Sequence, residues 1–209
     1  INHLDLPADT IYLFHSNESV NKFNTERLEN LPGETYLSRA KDEAKGAQKE
    51  KANKFMVFMK NIDIKKSVLP SLLRLKINCK YMIVTNINVI DGLVNGAVGI
   101  LRKIVFNDEN IPLLLWIQFT DLNVGKQQRS KFQETLLNRD TTINYMMWTP
   151  ISIHSVHIKV QQASKWHIER KQFPLVECEA LTIHKSQGQT YKNVAIDISQ
   201  QLTKNLLYV

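Results

Sequence analysis

The side chains best suited to chemistry in this sequence lie close together, at residues 181–190. Hydroxyl, amide, cationic and imidazole groups follow one another there, on Thr182, Ser186, Gln187, Gln189, Lys185 and His184. Such groups can hydrogen-bond to phosphate oxygens, and Gly188 lets the backbone approach a ligand closely. The segment therefore predicts contact with a nucleic-acid backbone or with nucleotide phosphates.

Strands must position this segment. Residues 179–183 predict a strand that ends where the polar residues begin, and residues 194–198 predict a second strand. Residues 11–14 predict a third, buried strand, which leads into a helix capped by Ser16 or Asn17. Strand–helix units of this kind build α/β sheets, in which ligands bind at the carboxyl ends of the strands.

The middle of the chain has a different pattern. Residues 72–171 contain several short apolar runs separated by turn residues, which predicts a small antiparallel β-barrel inserted into the α/β domain. Asn95-Gly96 predicts a two-residue hairpin, because both residues accept positive φ. Residues 123–144 are polar and predict a loop with a helical turn. A lysine-rich stretch, residues 41–54, predicts a solvated helix or a mobile segment.

The composition of the chain limits the classes of function that it can have. The chain has 209 residues and a formal net charge of +7, which favours a polyanionic partner. No run approaches the ~18 apolar residues that span a bilayer. Cys79 and Cys178 form no C-x-x-C pair and predict reduced, partly buried thiols. His154 and His157 lie three apart on a predicted strand and would face opposite sides, so we expect no metal site.

Residues 181–190 resemble motif V of the superfamily I helicases, most closely that of the PIF-type and RecD-like group of 5′-to-3′ DNA helicases. Further residues resemble that family in the same order along the chain: Leu13-Phe14, Val20, Asn24, Leu31-Pro32-Gly33-Glu34, Leu75-Lys76, Met82, Asn86, Gly92-Leu93-Val94-Asn95-Gly96, Gly99 and Gln172-Phe173-Pro174-Leu175. They are spread over nearly the whole chain, which makes the resemblance far more specific than one short string.

The resemblance implies an α/β fold, namely the RecA-like (P-loop NTPase-type) second motor domain of a helicase with the small antiparallel β-barrel inserted. Residues 1–71 would be the first part of the RecA-like domain, residues 72–171 the barrel and residues 172–209 the truncated remainder. By the same resemblance, four side chains would contact the DNA backbone, those of Thr182, His184, Lys185 and Ser186. Gln187 and Gly188 would couple the strand to the nucleotide pocket.

Part of the family's nucleotide site is missing from this sequence. No G-x-x-x-x-G-K-[ST] loop, which would cradle nucleotide phosphates, occurs in it. In the family this loop lies in the first motor domain, so the resemblance implies that ATP and Mg²⁺ bind mostly there, upstream of Ile1. Leu207-Tyr208-Val209 resembles the opening of motif VI, whose arginine finger would follow. We expect a C-terminal helicase part with no catalytic residue of its own, which does not hydrolyse ATP alone.

The expected partners are single-stranded DNA and ATP, with no membrane association, for a monomer acting in DNA repair or recombination. An intracellular location follows, in the nucleus, with the mitochondrion as the alternative. Two other interpretations stay open: the helicase portion of a Helitron-type transposon protein, and a non-catalytic nucleic-acid-binding remnant of a helicase gene. A nuclease domain upstream would favour the first, and the lack of a first motor domain the second.

Overall fold

The computed structural model describes residues 6–7, 10–45, 68–135, 140–159, 167–188 and 190–197. The strands are β1 Ile11–Phe14, β2 Tyr36–Arg39, β3 Lys41–Lys45, β4 Leu72–Leu75, β5 Lys80–Ile83, β6 Val98–Phe106, β7 Pro112–Phe119, β8 Trp148–Ser152, β9 His154–Lys159, β10 His167–Gln172, β11 Leu175–Glu177, β12 Ala180–Thr182 and β13 Val194–Ile196. The helices are α1 Asn17–Asn30, α2 Lys126–Thr135 and α3 Ile183–Ser186. Gln189, Leu207, Tyr208 and Val209 lie outside the described residues.

The first and last parts of the chain share one parallel sheet, in the order β12-β1-β13. Phe14 pairs with Thr182 and Leu13 with Ile196, so the carboxyl ends of the three strands lie at the same edge. The strands at 11–14, 179–183 and 194–198 are thus confirmed to within one or two residues at each end. Parallel pairing of a buried strand with two others is the arrangement expected of an α/β domain.

Helix α1 follows β1 directly, as predicted. Ser16 is its N-cap and its hydroxyl accepts a hydrogen bond from the Ser19 N–H (3.1 Å). The helix buries Val20 and Leu28 and ends at Asn30, with Leu31 as its C-cap. None of the described helices is long and apolar enough to cross a membrane.

The middle of the chain forms antiparallel sheets. The largest has the order β11-β5-β6-β7-β8, and its core includes Tyr81, Leu101 and Ile117. Two smaller sheets, β3-β10-β9 and β2-β4, accompany it, and none of the sheets built from the described strands is closed. The antiparallel strands match the prediction, whereas barrel closure stays a prediction. Residues 123–144 include α2, a ten-residue helix where we predicted only a helical turn.

The prediction of a solvated helix or mobile segment at residues 41–54 is wrong for its first part. Residues 41–45 form strand β3, which pairs with β10 from Lys41↔Lys171 to Lys45↔His167. The Arg170 guanidinium donates to both carboxylate oxygens of Asp42 (2.7 Å each). A bidentate pair of this kind fixes the strand register. Residues 46–54 lie outside the described residues.

The prediction of a two-residue hairpin at Asn95-Gly96 is also wrong. Gly96 has a φ of +96°, but among the described residues other than glycine only Asn78 and Asn110 have positive φ. Asn95 and Gly96 instead occupy the centre of a β-turn closed by the Ala97 N–H donating to the Val94 carbonyl (3.1 Å). The connection between β5 and β6 is therefore a long loop that ends in this turn, and not a two-residue hairpin.

A buried ion pair joins the parallel sheet to the five-stranded sheet. Lys80, on β5, donates through Nζ to Glu179 Oε2 (3.2 Å) and to the Thr10 carbonyl (2.9 Å). The Lys80 N–H donates to the other oxygen of the same carboxylate (3.0 Å). Thr10 and Glu179 directly precede β1 and β12, so the pair fixes where both parallel strands begin.

Candidate nucleic-acid interface

The predicted phosphate-binding segment is a sharp bend at the carboxyl end of β12. Thr182 is the N-cap of the single-turn helix α3, and its hydroxyl accepts from the Lys185 N–H (3.4 Å). The Ser186 hydroxyl donates to the Ile183 carbonyl (2.7 Å). Gly188 then has a φ of +70°, and a Cβ built there would meet nothing within 4 Å. The bend is compact, and its outer side is open.

The bend divides its side chains into two groups. His184, Lys185 and Gln187 are exposed, as is Gly188. Thr182 is buried at 6% exposure. Ser186 and Thr182 use their hydroxyls inside the bend, so the groups that a ligand meets first are the ring, the ammonium and the amide of the exposed residues. The DNA contacts of all four predicted residues, and the coupling role of Gln187 and Gly188, stay predictions.

A second strand end lies beside the bend. Because β1 pairs with β12 in parallel register, His15 and Asn17 come next to the segment that follows Thr182. Both residues are exposed. We missed them as candidate site residues from the sequence. The available signal was their position, directly after a predicted strand of the same α/β sheet.

The third parallel strand ends at the same edge. The Asp197 N–H donates to the Leu13 carbonyl (2.9 Å), which holds the end of β13 beside the last residues of β1. Cys178, just before β12, belongs to the apolar cluster that packs on this sheet, and burial raises the pKa of its thiol to about 12. Ile183, the first residue of α3, is buried in the same apolar cluster, whereas the next two residues, His184 and Lys185, are exposed.

The described residues offer no ready metal site. No group of three His, Cys, Asp or Glu side chains among them could hold a metal ion. The rings of His157 and His167 contact edge to face, with centroids 4.7 Å apart, on neighbouring strands. Toward a nucleotide, the bend supplies the Gln187 amide and the open backbone at Gly188, which suits a phosphate but provides no carboxylate for Mg²⁺.

Comparison with known proteins identifies relatives by sequence. No family model matches the chain. The ATP-dependent DNA helicase PIF1 of Emericella nidulans is 27% identical over 227 residues, covering 94% of this chain and 28% of that protein. Human PIF1, also an ATP-dependent DNA helicase, is 26% identical over 186 residues, covering 89% of this chain and 23% of that protein. The chain thus spans less than a third of either relative.

Solved structures share the fold. The Pif1 helicase of Candida albicans matches with a TM-score of 0.64 at 19% identity, over 98% of this chain and 43% of that one. Bacteroides Pif1 bound to ssDNA matches with a TM-score of 0.57 at 17% identity, over 98% and 38%. A structure of two coordinating Pif1 helicases at forked dsDNA matches with a TM-score of 0.56 at 17% identity, over 97% and 36%.

Fold and site together define a class: a mixed α/β chain with the RecA-like helicase fold and a polar bend at the carboxyl edge of its parallel sheet. Within that class, the resemblance to the PIF-type helicases is confirmed by sequence and by structure over most of the chain.

Proposed function

We propose that this chain grips single-stranded DNA as part of an ATP-dependent 5′-to-3′ DNA helicase. The exposed bend after β12 carries this proposal. It presents Lys185 and His184 at the carboxyl edge of the parallel sheet, within a chain similar to PIF1 helicases. A lysine ammonium there attracts the DNA backbone without reading its sequence, which suits a motor that moves along any strand.

Single-stranded DNA as the ligand is supported by the similar Bacteroides Pif1, which was solved with ssDNA bound. A short bend that contacts both DNA and nucleotide could couple the two, because closure around ATP would shift the same backbone that holds the strand. Gln187 and Gly188 are the residues we propose for that coupling. The 5′-to-3′ direction rests on the family resemblance alone.

We propose that ATP is hydrolysed by a larger motor, of which this chain is one part. The 209 residues contain no G-x-x-x-x-G-K-[ST] loop, and this loop is what cradles the phosphates in such enzymes. We propose that the residues of this chain supply the second wall of the ATP cleft, and that most ATP and Mg²⁺ contacts lie in a first motor domain. The three-part division at residues 72 and 172, with an inserted barrel, is part of the same proposal.

We propose the biological role of the protein only in general terms. Genome maintenance, in the form of repair or recombination, and a nuclear location follow from the helicase assignment. A monomeric state has no support, because one similar structure contains two coordinating Pif1 helicases.

Lys185→Ala tests the interface. Removing one phosphate contact should weaken binding of the full chain to single-stranded DNA and reduce the slope of log affinity against log salt by about one unit. The measurement is fluorescence anisotropy of a labelled oligonucleotide over a series of salt concentrations.

Lys131→Ala is the matched control, because Lys131 is an exposed lysine on α2 and its loss changes the net charge by the same amount. Its salt slope should stay at the wild-type value. If both variants have the wild-type slope, Lys185 does not contact the DNA backbone and the proposed interface is wrong.

A further inference from the structure

Lys80 and Glu179 form an ion pair in the interior of the chain. Lys80 is 6% exposed and Glu179 is 5% exposed. Their neighbours along the chain are buried as well: Cys79, Tyr81, Cys178 and Ala180. Removing two charges from water is costly, and an apolar pair of similar size at such a place is often at least as stable. Stability alone therefore does not account for charged residues at these two positions.

The hydrogen bonds of Lys80 hold two parallel strands at once. Its ammonium group donates to Glu179 Oε2 (3.2 Å) and to the Thr10 carbonyl (2.9 Å), and its backbone N–H donates to Glu179 Oε1 (3.0 Å). Its carbonyl accepts from the Cys178 N–H (2.9 Å). Hydrogen bonds are directional, whereas the hydrophobic effect is not. These bonds therefore fix where β1 and β12 lie along their axes relative to β5.

Strand β12 has little in its own sequence that would fix its register. It has only three residues, Ala180–Thr182, and all three are buried. A strand of this kind lacks the alternation of apolar and polar side chains that fixes register when one face is exposed. The hydrogen bonds between Asn24 and Ala180 hold β12 to α1, whereas Lys80 and Glu179 hold it to the five-stranded sheet.

A change in the register of β12 would displace the proposed DNA-binding bend. Thr182 lies three residues after Glu179 and is the N-cap of α3. A slip of one residue would move the bend by about 3.3 Å and turn its side chains to the other face of the sheet. Ile183 would then leave the apolar cluster in which it is buried, and the Lys185 side chain would point away from its present direction.

We propose that Lys80 and Glu179 are positioning residues for the DNA contact. They set the place of the bend at the sheet edge, and neither of them touches the DNA. This inference rests on the proposed function of the bend. The pair contributes to DNA binding only through Lys185, so its replacement weakens that contact even in a chain that remains folded.

The double variant Lys80→Met with Glu179→Leu tests the pair in the full chain, and it leaves the net charge unchanged. We expect a folded chain with a urea midpoint near that of the wild type. The slope of log affinity for single-stranded DNA against log salt should fall by about one unit, because the Lys185 contact is lost. Asp42→Leu with Arg170→Met is the matched control, since it removes an ion pair that joins β3 to β10; it should keep the wild-type slope.

Adding Lys185→Ala to the double variant separates an effect through Lys185 from any other effect on binding. The slope should fall no further, because residues that act through one contact are not additive. A further fall of one unit would overturn the inference, since the pair would then act independently of Lys185.

Lys80→Met alone is the milder variant, because the backbone N–H at position 80 can still donate to Glu179. It should also lower the slope, and Lys131→Ala is its control for the change in net charge. A wild-type slope in a folded variant, or loss of folding in both variants, would assign the pair to stability and overturn the inference. If the variants keep the wild-type slope while Lys185→Ala lowers it, only this inference fails; if Lys185→Ala keeps it too, the proposed function fails as well.

Discussion

At the residue scale, Thr182 shows how the bend is made. A threonine N-cap is worth about 1 kcal/mol to a helix, and here it begins a helix of only one turn. Its hydroxyl accepts from the Lys185 N–H, which fixes the backbone from which the Lys185 side chain leaves. The buried hydroxyl therefore positions the exposed cation, and the two residues serve the site in different ways.

The two cysteines give a prediction at the same scale. Burial raises the pKa of both the Cys79 and Cys178 thiols to about 12. Because only the thiolate is nucleophilic, both should be inert toward a thiol-reactive dye at pH 8 and should react once the chain is unfolded. Their reactivity should rise only as the pH approaches 12, since a raised pKa delays deprotonation.

Mass spectrometry of the labelled chain, before and after adding denaturant, measures this. Cys178→Ala serves as the reference in which the signal of Cys79 is seen alone. Labelling of either thiol in the native chain at the rate of an exposed cysteine would show that the packing around it is wrong.

At the element scale, local patterns predicted the strand–helix unit of β1 and α1 and the strand before the bend. Each has a signal within a few residues: an apolar run, a serine cap or a polar boundary. Strand β3 has no such signal, because its charged residues become a strand only by pairing with β10, about 125 residues later. The Asp42–Arg170 pair that sets its register is invisible in the local sequence.

Asn24 links two of these elements. Its side-chain oxygen accepts from the Ala180 N–H (2.7 Å) and its amide donates to the Ala180 carbonyl (3.3 Å), so α1 is tied to the start of β12. Asn24→Leu should lower the free energy of unfolding by about 2 kcal/mol, because it leaves buried backbone groups without partners.

Urea unfolding of the full chain measures the loss. Asn21→Leu makes the same change at an exposed position on the same helix and should alter the free energy by no more than about 0.5 kcal/mol. Similar values for the two variants would mean that the bond from α1 to β12 contributes nothing specific.

At the scale of the whole molecule, the site depends on contacts between distant parts of the chain. Residues 182–188 could be chosen from the sequence, because they follow a predicted strand directly. His15 and Asn17 also follow a predicted strand, but their place beside the bend depends on the pairing of β1 with β12, some 170 residues apart, which the sequence does not show. The Lys80–Glu179 pair, which holds the parallel sheet against the five-stranded sheet, is likewise a product of the fold.

Amide hydrogen exchange with and without single-stranded DNA is the most direct test of the central claim that the sheet edge holds the DNA backbone. We expect slower exchange at residues 183–188 and at residues 15–18 when DNA is added, and a smaller change in Lys185→Ala. Slower exchange confined to other parts of the chain, with these two segments unchanged at saturating DNA, would contradict the account.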